Sequence, residues 1–156
     1  MINIVVFNGG RGSRTMLAEF LGMDEVYYTS IVNAYDDGKS TGILRSFFGM
    51  LGPSDIRKVQ ELMLPPEMED YTAVMGLFNF RYPETPDRSA ILRELEDFSA
   101  GRSSMVGGYE VKDPSVREPI RILLGCVLKG TSLIEKAEGK TINLSDCSLM
   151  NLIYAG

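Results

Sequence analysis

The sequence contains no histidine and no tryptophan, and it has only two cysteines, Cys126 and Cys147. The absence of histidine excludes Ser-His and Cys-His nucleophile pairs and histidine-based zinc sites. Any general base is therefore a carboxylate, a lysine or a tyrosine, which suits reactions that depend on positioning phosphates and neutralising their charge. Two cysteines provide neither a disulfide framework nor a metal cluster, and this usage predicts a cytoplasmic protein.

Basic clusters and long apolar runs are also missing. The net charge is −5 with no cluster of lysine or arginine, so we expect no nucleic-acid partner. No apolar run approaches the length of a membrane span, and the N-terminus lacks the pattern of a signal peptide, so we expect no membrane partner. A hydrophobic content of 44% in 156 residues predicts one globular domain, residues 1–156.

Glycine-rich loops follow two strand-like runs near the N-terminus. The run 2–7 leads into Asn8-Gly9-Gly10-Arg11-Gly12-Ser13 and then into a helical pattern. Glycines let the backbone approach a ligand closely, and the start of the helix offers unpaired N–H groups to a phosphate. Arg11 and Arg14 are placed to pair with that phosphate from either side. The loop matches neither the Walker A nor the dinucleotide pattern, and the alternative is a plain glycine turn.

A second loop carries two adjacent carboxylates after the run 29–35. Asp36 and Asp37 precede Gly38, Lys39, Ser40, Thr41 and Gly42. Such a pair predicts either Mg²⁺ coordination or acceptance of hydrogen bonds from a ligand. The alternative is an Asx-turn in which both carboxylates bond only their own backbone.

A third loop, Gly52-Pro53-Ser54-Asp55-Ile56-Arg57, opens another helical pattern. We predict that Asp55 and Arg57 act on the same ligand as the first two loops. The alternative for Asp55 is structural, because a carboxylate in the first turn of a helix also satisfies the helix dipole.

Together these segments resemble the family of the bacterial gluconeogenesis factor and 2-phospho-L-lactate transferase. The residues that carry the resemblance are GGRGS, VNAYDDGKSTGILR and PSDIR, with weaker likeness in LFNFRY and SLMNL. Ser40 to Arg45 is similar to an extension in the gluconeogenesis-factor branch. The sequence departs from the family pattern at Arg11, Ser54, Lys58, Asp146, Cys147 and Met150, where the family usually has threonine, glycine, asparagine, glycine, histidine and glycine.

The loops and the resemblance together predict the functional residues. Asp36 and Asp55 are the predicted catalytic residues, and Asp36 and Asp37 are the predicted ligands of a Mg²⁺ cofactor. The predicted ligand-binding residues are Gly9, Gly10, Gly12, Ser13, Asn33, Asp37, Ser40, Gly42, Arg57 and Asn151.

The resemblance leaves two functions open. One is a regulatory protein that binds a nucleotide-sugar, as the gluconeogenesis factor does. The other is an enzyme resembling 2-phospho-L-lactate transferase, which moves a phospholactyl group from a guanosine nucleotide onto a deazaflavin precursor with Mg²⁺. A third, plainer alternative is a fold fragment that binds nothing in this form.

The pattern predicts an α/β fold, with a Rossmann-like, open, three-layer sheet of mostly parallel strands. Only three runs read clearly as strands, the last at 140–144, which is few for such a sheet. We therefore expect either the N-terminal part of a longer family fold or a reduced member completed as a homo-oligomer. Helices are predicted at 55–63, after Pro86-Asp87, at 119–129 and from Ser145, and a mobile loop is predicted at 100–113.

Overall fold

Two parallel strands carry the N-terminal loops in the computed structural model, which describes residues 1–156. Strand β1 (Ile2–Asn8) pairs with β2 (Val26–Val32), in a register that runs from Ile2 opposite Val26 to Asn8 opposite Val32. A 3₁₀ turn (Gly10–Ser13) and helix α1 (Arg14–Leu21) connect them. The first predicted strand is confirmed. The second begins and ends three residues earlier than predicted, so Asn33 to Asp37 already belong to the loop.

The two faces of this parallel pair differ. One face packs on α1 and on helix α3 (Ser54–Leu62). The other face points to solvent and consists of six residues, which we call the open face: Asn3, Val5, Phe7, Tyr27, Thr29 and Ile31.

The main core lies among the remaining helices. These are α2 (Lys39–Phe48), α4 (Tyr71–Asn79), α5 (Arg88–Ser99), α6 (Pro114–Glu138) and α7 (Leu149–Ile153). Buried leucines and one phenylalanine join them into one cluster: Leu44, Leu77, Leu95, Phe98, Leu124 and Leu149. This core supports α2 and α7, whose N-terminal ends lie beside the second loop.

Side-chain caps fix where three helices begin. Asp87 accepts a hydrogen bond from the Ala90 N–H at 3.0 Å at the start of α5, and Asp113 accepts one from the Ser115 N–H at 2.8 Å at the start of α6. Ser148 caps α7 in the same way. Each cap satisfies an N–H group that has no partner inside the helix.

Residues 100–113 contain a hairpin, so the prediction of a plain loop there was wrong. Strands β3 (Met105–Val106) and β4 (Tyr109–Glu110) pair in antiparallel fashion across Gly107 and Gly108. Both glycines have positive φ, 58° and 78°, as the two-residue hairpin turn requires. The Gly-Gly pair was the sequence signal for this hairpin.

The strand predicted at 140–144 is not formed. No neighbouring strand edge is available to it, and side chains satisfy its backbone instead: Glu135 accepts from the Ile142 N–H at 3.0 Å. The chain therefore forms two separate two-stranded sheets rather than a full sheet. The fold is mixed α/β with a parallel pair, an arrangement compatible with a Rossmann-like fold. No helix combines the length and the apolar character that crossing a bilayer requires.

Candidate functional site

The three predicted loops come together at the carboxyl ends of β1 and β2. A Cβ atom on Gly10, whose φ is +65°, would lie 2.7 Å from Asp55 Oδ1, so the first and third loops are in contact. A Cβ atom on Gly52 would lie 2.6 Å from the Asp36 carbonyl oxygen, so the third loop also contacts the second. At both positions a neighbouring oxygen atom lies too close to allow a side chain, so glycine is required. The loops that the sequence singled out therefore form one surface.

Asp55 is buried against the glycines of the first loop. Its Oδ1 atom accepts a hydrogen bond from Lys58 Nζ at 2.9 Å, and a Cβ on Gly9 would lie 3.6 Å from its Oδ2 atom. Asp55 also lies in the first turn of α3, where a carboxylate is favoured by the helix dipole. The geometry accommodates both the structural and the ligand-binding interpretation of this residue.

Asp36 lies at the second loop, half-buried, with its Oδ2 atom 3.0 Å from Thr41 Oγ1. Burial alone raises the pKa of this carboxyl, but hydrogen bonds from Thr41 and Ser54 and the charge of Lys58 outweigh it, so the pKa is lowered overall. Asp36 is therefore ionised at neutral pH. Its contacts join the second and third loops.

Asp37 has a more open environment than its neighbour. It is exposed, and its Oδ1 atom lies 3.1 Å from Arg45 Nη1. A Cβ on Gly42 would lie 3.3 Å from the same oxygen, so Gly42 lets the carboxylate approach α2. Asp37 Oδ2 is left available to a ligand.

Two buried polar atoms beside the first loop have no hydrogen-bond partner. They are Ser13 Oγ and Asn8 Oδ1. Both residues line a cavity of about 240 Å³ together with Val6, Phe7, Gly9, Gly12 and Met16. Ser13 stands at the N-cap position of α1 but caps nothing. Buried polar atoms are nearly always paired, so this pair of unsatisfied atoms marks a place where a ligand group or a water completes the bonding.

Arg11 and Arg14 do not flank that cavity. Arg11 Nη2 lies 3.0 Å from Glu61 Oε2, and both arginines line a different cavity of about 220 Å³ beside α3 and α4. The structure therefore separates the two arginines from Ser13.

Arg57 is buried and points to α4, where it donates to the Phe78 carbonyl. Burial lowers the pKa of its guanidinium, Glu61 raises it, and nearby Arg11 lowers it further. It forms no ion pair, and its Nε has no partner. A contact between Arg57 and the ligand stays a prediction.

Ser40 and Asn151 meet although they are 111 residues apart. Ser40 Oγ accepts from Asn151 Nδ2 at 3.2 Å and from the Ser148 N–H at 2.9 Å, and it donates to Cys147 Sγ at 3.7 Å. All four residues are buried. Burial raises the pKa of Cys147 to about 11, so its thiol stays protonated. Cys147 and Ser148 were not among the predicted site residues. Their sequence signal was the family resemblance, in which Ser148 opens the SLMNL segment and Cys147 stands where the family usually has histidine.

The remaining predicted residues shape the loops. The Asn33 N–H donates to the Asn8 carbonyl at 2.9 Å, which ties the second loop to the first, and Asn33 Oδ1 accepts from the Tyr35 N–H at 3.1 Å. A Cβ on Gly12 would meet nothing within 4 Å, so no close approach requires a glycine there.

The residues of the second loop provide only part of a metal site. Nowhere in the structure do three or more Asp, Glu or Cys side chains come together in a way that could hold a metal ion. Thr41 donates a hydrogen bond to one carboxylate oxygen of Asp36, and Arg45 donates one to a carboxylate oxygen of Asp37. Mg²⁺ commonly takes one or two carboxylates and completes its shell with phosphate oxygens and water. A Mg²⁺ ion at Asp36 and Asp37 stays a prediction.

The fold and the loops define an α/β protein whose polar loops follow two parallel strands. Comparison of the sequence with known families adds the family: the model for the 2-phospho-L-lactate transferase CofD family matches residues 4–124. The protein belongs to this family, which confirms the resemblance seen in the loops.

Several curated proteins are similar to this one. A Nostoc sp. protein named "Putative gluconeogenesis factor" is 29% identical over 158 residues, which cover 90% of this chain and 34% of that protein. The Listeria innocua gluconeogenesis factor is 37% identical over 86 residues, covering 55% of this chain and 25% of that protein. The chain thus spans about a third or less of the length of these relatives. No solved structure matches it.

Proposed function

We propose that the protein binds a nucleotide or nucleotide-sugar through its phosphates, and that it acts as a cytoplasmic regulatory binder of the kind suggested by the name of its gluconeogenesis-factor relatives. The observation that carries the proposal is the cavity lined by Asn8 and Ser13, in which the buried Ser13 hydroxyl has no partner. The unpaired Asn8 Oδ1 atom beside it can only accept a hydrogen bond and suits a hydroxyl group of the ligand. The Ser13 hydroxyl supplies a donor for a phosphate oxygen. The N–H groups at the start of the 3₁₀ turn and α1 supply others.

Asp36, Asp37 and Asp55 belong to the loop surface that adjoins this cavity at Gly9, where a Cβ would lie 3.6 Å from Asp55 Oδ2. A phosphate beside three carboxylates needs added positive charge. Lys58, at 2.9 Å from Asp55, supplies one cation, and Mg²⁺ held by Asp36 and Asp37 would supply two more charges. The carboxylates also suit ligand hydroxyls or ring N–H groups, which are hydrogen-bond donors. We therefore place the phosphates at Ser13 and the sugar or base toward Asp36.

Calorimetric titration tests this proposal. UDP-glucose and GDP are titrated with and without Mg²⁺ into the wild type, Ser13→Ala and Thr15→Ala. We expect binding by the wild type, weaker binding by Ser13→Ala, and no change for Thr15→Ala, whose side chain is exposed on α1. Equal affinity in all three proteins would contradict the placement of the phosphate at Ser13. No binding of either nucleotide by the wild type would contradict the proposal as a whole.

A transferase activity of the 2-phospho-L-lactate type is the second candidate. The observation that favours it is the position of Asp36, which Thr41 holds at 3.0 Å in the same loop surface as buried Asp55 and its partner Lys58. When bound, Mg²⁺ would neutralise phosphate charge. Asp36 and Asp55 would orient the acceptor and take up its proton. Product formation from a guanosine-linked phospholactyl donor that is lost in Asp36→Asn, while GDP still binds, would favour this candidate over the regulatory one.

A further inference from the structure

The cavity beside α1, α3 and α4 contains positive charge that the proposed nucleotide site does not use. Its volume is about 220 Å³, and Arg11, Arg14 and Glu61 line it. Arg11 and Ser13 belong to the same 3₁₀ turn, but Ser13 lines the other cavity, and the two cavities have no lining residue in common. A ligand of this cavity, which we call the arginine cavity, is therefore a ligand in addition to the nucleotide.

We infer that the arginine cavity binds a small carboxylic acid with an apolar body, of the aryl-substituted short-chain type. The inference is independent of the proposed function.

Both arginines have hydrogen-bond donors that the protein does not use. Arg14 is exposed and takes part in no hydrogen bond or ion pair within the chain. Arg11 Nη2 lies 3.0 Å from Glu61 Oε2, whereas its Nη1 and Nε groups donate to nothing. Because a guanidinium pairs with a carboxylate through two parallel N–H donors, each arginine is able to bind an incoming carboxylate.

The charge of the arginine cavity favours a monoanion. Arg11 and Arg14 contribute two positive charges and Glu61 contributes one negative charge, so the lining has a net charge of +1. Glu61 is fixed in place, because its side chain is only 10% exposed and accepts a hydrogen bond from Asn79 Nδ2 at 3.2 Å. A carboxylate ligand balances the net charge, whereas a phosphate dianion would exceed it beside Glu61.

The walls of the arginine cavity determine the rest of the ligand. The other five lining residues are apolar or aromatic: Ala18, Leu62, Leu64, Tyr71 and Met75. Small-molecule sites combine walls of this kind with a few polar groups that fix the orientation of the ligand. At the packing density of a protein interior, the cavity accommodates about 160 Å³ of ligand atoms, which is the size of a phenyl ring with a short acid chain.

NMR titration of the isotope-labelled chain with 3-phenylpropionate tests the inference. We expect saturable shifts of the Ala18 and Met75 amide signals, with a Kd of about 1 mM or below. Two further probes separate charge from shape. 3-Phenylpropan-1-ol has the same body without the charge, and inorganic phosphate has charge without the body, so each should bind at least about tenfold more weakly.

Substitutions at the arginine cavity give a second measurement with matched controls. Arg14→Gln should weaken the binding of 3-phenylpropionate at least about tenfold, whereas Arg93→Gln, at an exposed and unpaired arginine on α5, should not change it. Glu61→Gln should tighten binding about two- to fivefold, because it removes the negative charge that competes for Arg11. Glu19→Gln, at an exposed carboxylate on α1 outside the cavity, should leave the affinity unchanged.

Several results would overturn the inference. They are the absence of binding at about 10 mM 3-phenylpropionate, equal affinity for the alcohol, and phosphate binding as tightly as the acid. Unchanged affinity in a folded Arg14→Gln, or weaker binding by a folded Glu61→Gln, overturns it as well. The NMR spectrum of each variant shows whether it is folded, and if Arg14→Gln does not fold, Glu61→Gln decides. None of these results bears on the nucleotide proposal, because Ser13 lies outside the arginine cavity.

Discussion

Ser13 combines burial with an unused hydroxyl, and this makes its role testable without damage to the fold. Because Ser13 Oγ has no partner within the protein, Ser13→Ala should leave the free energy of unfolding nearly unchanged. Affinity for UDP-glucose or GDP should fall roughly three- to tenfold, which corresponds to one hydrogen bond. Chemical denaturation and calorimetry on the same samples check the two expectations. A loss of stability with no loss of affinity would show that an internal water, rather than a ligand, satisfies this hydroxyl.

Asp36→Asn removes a charge that the fold stabilises. Because the pKa of Asp36 is lowered in the folded state, the carboxylate contributes stability above its unfolded pKa of about 3.9, and this contribution is lost as the pH falls through the folded pKa. The contribution is no more than about 1 kcal/mol, since the side chain is only half buried and water screens it.

We therefore expect Asp36→Asn to be slightly less stable than the wild type at pH 7, and this difference should disappear as the pH is lowered from 7 through the folded pKa of Asp36. Ligand affinity should fall at least about tenfold, or roughly 1.4 kcal/mol. Urea denaturation across this pH range and calorimetry at pH 7 provide the measurements. Asp37→Asn is the control for stability, because Asp37 is exposed and bonds only Arg45. Unchanged affinity in Asp36→Asn would mean that the acidic loop is not part of the site.

At the scale of secondary structure, Gly10 and Gly12 of the first loop allow a matched pair of substitutions. Gly10→Ala introduces a Cβ atom 2.7 Å from Asp55 Oδ1 at a positive φ, so it should separate the first loop from α3 and cost about 1–3 kcal/mol. Gly12→Ala meets nothing within 4 Å and should be tolerated. Thermal unfolding distinguishes them. Equal melting temperatures for both variants would show that the loops do not contact each other as described.

The junction between α2 and α7 is the other test at this scale. Ser40→Ala leaves the Ser148 N–H and Asn151 Nδ2 without their acceptor, at a cost of about 1–3 kcal/mol for unsatisfied buried groups. Ser46→Ala, on the exposed side of α2, should be neutral. Denaturant unfolding measures both. If Ser40→Ala instead keeps full stability and loses ligand affinity, Ser40 is a ligand contact, as the sequence predicted.

Several elements were predicted correctly from local sequence signals. Asp87 predicted the start of α5, and the apolar run of β1 predicted the first strand. The elements that were missed have different causes. Residues 140–144 have a strand-like composition but no strand beside them, and the Gly107-Gly108 turn depends on two strands of only two residues each. Helix α6 continues from Pro114 to Glu138, well beyond the predicted 119–129, because Asp113 and Pro114 form a better start than Pro119.

In the candidate site, too, some features could be predicted from the sequence and others could not. The convergence of the glycine and aspartate loops could be predicted because loops after parallel strands meet at one edge of the sheet. The turn of Arg57 toward Phe78 and the pairing of Arg11 with Glu61 could not, since they depend on where α4 packs. Asp146 could be predicted only in part. Its φ of 51° is left-handed, which accounts for the glycine that the family usually has there, and Arg81 holds it by a 2.7 Å contact to Oδ1.

For the whole molecule, the two cysteines report whether the fold is intact. Cys126 is exposed, whereas Cys147 is buried with its pKa raised to about 11. A thiol reagent at pH 8 should therefore modify one thiol per native chain at once and the second only as the chain unfolds. Spectrophotometric thiol counting with and without urea measures this. Rapid modification of both thiols in the native protein would show that the junction around Ser40 opens readily.

The contact between Ser40 and Ser148 also has a consequence for the order of events during synthesis. Ribosomes add about 5 to 20 residues per second, so the 108 residues that separate the two are made in roughly 5 to 20 seconds. Throughout that interval the Ser40 hydroxyl has neither of its buried donors. The acidic loop therefore acquires these contacts only after Ser148 and Asn151 have been translated, long after the loop itself.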